Sequence, residues 1–135
     1  MVILEEVPRT IFVVDDDQAI LSFVSKLLAD AGYRVLTANC GAAALQQSRD
    51  YKDDIDLLLS DFQMPGMSGI ELATAMCADR PLLKVLMMSG FTGGMLVLNE
   101  GWHFLAKPFV PSQLRALIQG LFPERSANIS HVVAN

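Results

Sequence analysis

The run Ile55-Asp56-Leu57-Leu58-Leu59-Ser60 is apolar at nearly every position, stops at the carboxylate of Asp61, and turns at Pro65-Gly66. A strand with one wet face alternates apolar and polar residues. A continuous apolar run has both faces covered, the situation of a strand inside a parallel sheet flanked by helices. Thr10-Ile11-Phe12-Val13-Val14 and Lys84-Val85-Leu86-Met87-Met88 repeat the pattern, the first ending in Asp15-Asp16-Asp17 and the second in Ser89. Tyr33–Ala38 and the short Trp102–Ala106 complete a set of five strands, the last stopping at Lys107-Pro108.

Helical periodicity fills the gaps. Ile20, Phe23, Val24, Leu27, Leu28 and Ala31 share one face, with Asp17 as N-cap and Gly32 beyond the end. Gly41 to Asp50 is an alanine-rich helix. Ser68 and Glu71 have the spacing of a capping box for a helix through Ala78, with Ile70, Ala73, Met76 and Cys77 on its inner face and Pro81 past its end. Gly90 to Gly94 is loop, and Met95 to Asn99 has room for a turn or two of helix. Pro111 at a first helical position, with Leu114, Leu117, Ile118 and Leu121 following, gives a last amphipathic helix. Residues 1–9 are a leader, 10–121 one domain, and 122–135 a polar tail.

Strands alternating with helices make a doubly wound α/β fold, and right-handed crossovers bring every strand's carboxyl end to one rim, where such sheets bind ligands. That rim collects Asp15, Asp16, Asp61, Ser89 and Lys107. Carboxylates about 4 Å apart repel by about 4 kcal/mol per pair at an effective dielectric of 20, so the cluster needs a cation or a raised pKa. Mg²⁺ suits it, being held by one or two carboxylates together with a substrate phosphate. Asp61 is then best placed as a nucleophile toward phosphorus. The metal and Lys107 would neutralise charge on the equatorial oxygens, and Ser89 would hydrogen-bond the transferred group.

The totals narrow the field. A chain of 135 residues, 52% hydrophobic and 19% charged, can bury one core without metal staples or disulfides. A net charge of −5 with no basic stripe argues against nucleic acid as a direct partner. Cys40 and Cys77 lack ligand spacing and read as small helix-face residues in a reducing compartment. No apolar stretch is long enough for a membrane span and no signal peptide opens the chain, so a cytoplasmic location is expected. Asp17 reads as a cap, His103 as a structural side chain on a short edge strand, and the seven methionines as core filler. Flavin binding on such a sheet needs a phosphate cradle after the first strand, where Asp15 to Asp17 would repel phosphate.

Val13-Val14-Asp15-Asp16, Asp61-Phe62-Gln63-Met64-Pro65-Gly66, Met88-Ser89-Gly90 and Lys107-Pro108-Phe109, taken together and in this order, resemble the receiver domain of two-component response regulators. The resemblance covers about Arg9 to Leu121. It implies a flavodoxin-like sheet in the order 2-1-3-4-5 with helices on both faces. It also implies that Asp61 accepts a phosphoryl group from the phosphohistidine of a histidine kinase or histidine phosphotransfer protein. Asp16, Asp61 and the backbone carbonyl of Gln63 would bind Mg²⁺, with Asp15 assisting through water. Ser89 would be the switch hydroxyl, Lys107 the phosphate-pairing lysine, and Phe104 the switch aromatic. The Lys107-Pro108 bond would be cis. The chain would not be an enzyme on other substrates, undergoing only self-phosphorylation and autodephosphorylation.

Two features depart from the family pattern. Phe104 stands where tyrosine is frequent, so the ring can turn inward but offers no hydroxyl. The span from Ser89 to Phe104 is a few residues short, which stunts the helix at Met95 to Asn99. The loop after Ser89 is most similar to receivers at the carboxyl end of hybrid sensor kinases. Phe91, two positions past Ser89, is expected to shield an acyl phosphate from water. With no output domain in the sequence, a downstream protein is expected to read the switch. A degenerate receiver that docks partners without phosphorylation is the alternative.

Overall fold

The computed structural model describes residues 7–90 and 101–122 of the chain. Five parallel strands form one sheet in the order β2-β1-β3-β4-β5, where β1 is Thr10–Val14, β2 Arg34–Ala38, β3 Leu57–Asp61, β4 Lys84–Ser89 and β5 His103–Ala106. Among the described residues, four helices connect or follow them: α1 Gln18–Asp30, α2 Gly41–Asp50, α3 Gly69–Asp79 and α4 Pro111–Leu121. The turn of helix expected at Met95 to Asn99 and the shielding role of Phe91 lie outside the described residues.

The apolar strands are buried on both sides, as their continuous hydrophobicity requires. One core layer joins Phe12, Val14, Leu58, Val85 and Met87 to Leu72, Ala73 and Met76 of α3 and Ala44 of α2. The other joins Ile11, Val13, Leu57, Leu59, Leu86 and Met88 to Leu21, Val24 and Leu28 of α1 and Leu114 and Ile118 of α4. Successive residues of each strand thus feed opposite layers, the period-two consequence of the pleat.

Three local expectations need correction. The α1 stripe is rotated from the one read in the sequence: Leu21, Val24 and Leu28 are buried, whereas Phe23 is 50% exposed. Both sets have helical spacing, and only the sheet decides which of two adjoining apolar stripes is covered. Strand β3 starts at Leu57 rather than Ile55, because the Asp56 carboxylate leaves the apolar run to accept a hydrogen bond from the Thr10 N–H at 2.7 Å and to pair with Arg9 at 3.5 Å. Cys40 is the N-cap residue of α2, not a helix-face residue.

The caps explain the other helix boundaries. The Asp17 carboxylate accepts from the N–H groups of Ala19 and Ile20 at 3.0 and 3.3 Å. The Ser68–Glu71 capping box forms in both directions, and Pro111 opens α4 while the Gln113 side chain accepts from the Val110 N–H. Among the described residues, no helix is long and apolar enough to cross a membrane.

Candidate functional site

Register fixes the site. Val14 lies opposite Ser60, Asp61 opposite Met88, and Ser89 opposite Ala106. The residues leaving β1, β3, β4 and β5 at the carboxyl rim are therefore Asp15, Asp61, Ser89 and Lys107. The ladder continues past the last strand residues, with Asp15 N–H donating to the Ala38 carbonyl at 3.3 Å and Lys107 N–H to the Ser89 carbonyl at 2.7 Å.

Asp15 is completely buried and both of its oxygens are engaged. Oδ1 accepts from the Asp17 N–H at 2.9 Å and Oδ2 from Lys107 Nζ at 3.0 Å. The same ammonium reaches Asp61 Oδ1 at 3.2 Å, so one cation bridges two acids that arrive from different strands. Their side chains are 0% and 13% exposed, and the lysine's is 18% exposed. Asp16 is exposed at the mouth.

The electrostatics follow from this arrangement. Burial raises the Asp61 pKa above the ordinary carboxylate value, and the charges of Asp15 and Asp16 push it the same way against the pull of Lys107. Burial alone would lower the Lys107 pKa, but its bond to Asp15, the Asp15 charge and then Asp61 outweigh this, and the net shift is upward. The lysine is therefore a firmly held cation, and Asp61 is an acid whose charge its surroundings disfavour.

Asp15, Asp16 and Asp61 each offer an oxygen, and these three atoms lie within 4.8 Å of one another. Opposite ligands of an octahedral Mg²⁺ with bonds of about 2.1 Å are about 4.2 Å apart, a spacing of the same order as that of these three oxygens. Hard oxygen donors at this spacing fit Mg²⁺. Gln63 is exposed on the loop leaving β3. Ser89 is buried at the end of β4, one residue beyond the register partner of Asp61. Phe104 does not join the pocket; it lies half-buried on β5 against the α2–α3 core layer. The Lys107-Pro108 peptide bond is cis.

Sequence reading missed Gly69. It is the first residue of α3, buried, and a Cβ there would run into the backbone carbonyl oxygen of Asp61 itself. Its N–H donates to the Phe62 carbonyl at 3.0 Å, while the Phe62 N–H donates to the Met88 carbonyl at 2.7 Å. The Phe62 to Gly69 segment is thus closed into a ring seated on β4. The only sequence signal was a glycine following the Ser68 cap, a position where most residues are tolerated.

Residues 11–119 match the family described as the response regulator receiver domain. The chain belongs to this family. Among curated relatives, it is 37% identical over 113 residues to two-component response regulator ARR14 of Arabidopsis thaliana, covering 81% of this chain and 30% of the relative. It is 35% identical over 107 residues to the CAI-1 autoinducer sensor kinase/phosphatase CqsS of Vibrio cholerae, covering 74% of this chain and 15% of the relative. The receiver therefore spans under a third of either relative. Among solved structures, the receiver domain from hybrid histidine kinase CckA superposes with a TM-score of 0.74 at 31% identity, covering 83% of this chain and 97% of that one. The CheY-like receiver protein of Methanospirillum hungatei gives 0.79 at 29% identity, covering 90% and 99%. Response regulator TrrA of Thermotoga maritima, solved in complex with Mg²⁺ and BeF, gives 0.75 at 26% identity, covering 84% and 99%. The neighbour from a hybrid kinase accords with the sequence likeness to receivers of that type.

Proposed function

We propose that this receiver is the phosphoacceptor of a phosphorelay: Asp61 takes a phosphoryl group from the phosphohistidine of a kinase or phosphotransfer protein, and a partner reads the result. The observation that carries the reading is the bridge of Lys107 between the buried Asp15 and Asp61 within the acidic cluster. A carboxylate oxygen of Asp61 forms the new O–P bond while the P–N bond to imidazole breaks, and the departing nitrogen is left with its electron pair. Lys107, held by the buried Asp15, presents its ammonium to the incoming phosphoryl oxygens and limits the charge that accumulates on them. Ser89 follows the register partner of Asp61 on the next strand, and on this reading its hydroxyl would hydrogen-bond the transferred group. Asp15, Asp16, Asp61 and the Gln63 carbonyl would hold Mg²⁺, which supplies charge neutralisation of the phosphoryl oxygens when bound.

The protein on this reading is not an enzyme acting on a separate substrate. It is a cytoplasmic phosphoprotein that phosphorylates from a small or protein donor and dephosphorylates itself. Intact-mass measurement after incubation with acetyl phosphate and Mg²⁺ tests the reading. One added phosphoryl group on the wild type and none on Asp61→Ala is the expected result. A wild type that gains no mass overturns it in favour of docking without phosphorylation.

A further inference from the structure

The Phe62–Gly69 ring carries Gln63 past Asp61, and its far side rests on another element. A Cβ placed on Gly41, the first residue of α2, would lie 2.8 Å from Met67 Cβ, 2.9 Å from Cγ and 3.1 Å from Sδ. The crowding begins at Met67 Cβ, so no change of rotamer relieves it and backbone must move. Helix α2 is poorly free to retreat. Ala44 and Ser48 are buried, and the Arg80 guanidinium clamps the far end of the helix. It donates to Ser48 Oγ at 3.2 Å and to the carbonyls of Ser48, Tyr51 and Asp53, each at 2.9 Å. With α2 held in this way, the displacement falls on the segment containing Met67.

We infer that Gly41 is a positioning residue for the metal site: its missing side chain lets Met67 seat against α2, and that contact sets where the β3–α3 segment holds its donors. Displacing Met67 moves a closed ring anchored by the Phe62 and Gly69 hydrogen bonds, so the shift is shared with Gln63 and with Asp61, whose carbonyl oxygen occupies the space a Cβ on Gly69 would need. Groups hydrogen-bonded to metal ligands typically alter metal affinity by about 10- to 100-fold when changed, and a contact one layer further out belongs at the low end of that range. The inference rests on the Mg²⁺ reading above and gives a residue on a different helix control over it without contact with any donor.

The test is calorimetric Mg²⁺ titration of wild type, Gly41→Ala, Gly41→Ala with Met67→Gly, and Met67→Ala, with amide NMR shifts of residues 62–69 in the metal-free proteins. Gly41→Ala is expected to weaken Mg²⁺ binding about tenfold and shift those amides. Adding Met67→Gly, which removes the colliding Cβ, is expected to restore affinity to within about twofold. Unchanged affinity in Gly41→Ala, or a loss that Met67→Gly does not restore, overturns the inference. If Gly41→Ala does not fold, the double variant decides: Mg²⁺ affinity within about twofold of wild type is expected, and a loss of about tenfold overturns the inference. Met67→Ala, which keeps the Cβ facing Gly41, should stay within about twofold of wild type, and a larger loss there also overturns it. A wild type that binds no Mg²⁺ defeats the metal reading itself, a separate outcome visible before any variant is compared.

Discussion

Replacing Asp61 by asparagine should stabilise the metal-free protein and remove most of its stabilisation by Mg²⁺. Asp61 is pressed by burial and by two neighbouring acids and is relieved by one ammonium, leaving roughly one uncompensated repulsion. A unit pair about 5 Å apart at an effective dielectric of 20 interacts by about 3 kcal/mol, and solvent at the open side of the pocket reduces this to about 1 kcal/mol. Asparagine keeps an oxygen that can accept from Lys107 while losing that repulsion. For roughly 110 folded residues the unfolding entropy near Tm is about 230 cal/mol/K, so Asp61→Asn should melt about 4 °C higher than wild type without metal. Mg²⁺ at about 100 times its Kd adds about 2.7 kcal/mol to a protein that binds it, or about 12 °C. The order should therefore reverse, with wild type melting higher once Mg²⁺ is present. Differential scanning calorimetry in chelator and in Mg²⁺ reads both. Equal Tm without metal refutes the repulsion argument, and equal gains on adding Mg²⁺ refute Asp61 as a ligand.

Other predictions follow from the same geometry. Because the folded Asp61 pKa is raised, its destabilisation is fully present above that pKa and fades as pH falls through it toward the unfolded value. The metal-free advantage of Asp61→Asn should thus shrink on acidification, and denaturant titrations between about pH 7 and pH 4 that show a constant difference would contradict it. The raised Lys107 pKa has the opposite consequence: its stabilisation is present below the unfolded lysine value and lost as pH climbs through the folded one. Lys107→Met should cost about 3 kcal/mol near neutral pH by stranding the buried Asp15, and should abolish that alkaline loss; urea unfolding at several pH values checks both. Gly69→Ala should cost about 3 kcal/mol, because the new methyl meets backbone rather than a yielding side chain, and should slow phosphorylation by displacing Asp61. Arg80→Ala should cost about 2 kcal/mol, read by urea unfolding, by freeing the carbonyls at the end of α2.

The architecture was legible because burial on both faces leaves a mark in the sequence. Continuous apolar strands, the Asp17 and Ser68 caps and Pro111 fixed the element order, and the rim residues followed from topology. The Asp15-Asp16 pair, Asp61 and Lys107 come from three distant stretches of the chain, yet strand register alone brings them together. What could not be read depends on the third dimension. Phe23 and Leu21 belong to adjoining stripes of one helix, and only docking on the sheet chooses between them. Asp56 looks like a flaw in an apolar run until the Thr10 N–H is seen beside it. Gly41 and Gly69 matter for the atoms they leave out, and an absent side chain has no hydrophobic pattern. Arg80 serves four acceptors around the end of another helix, a long-range arrangement that no local spacing encodes.

Locating the modified residue tests the central claim most directly. After treatment with acetyl phosphate and Mg²⁺, borohydride reduction of the acyl phosphate followed by peptide mass spectrometry should place the mark on Asp61 alone. A mark on Asp15 or Asp16 in place of Asp61 would contradict the account.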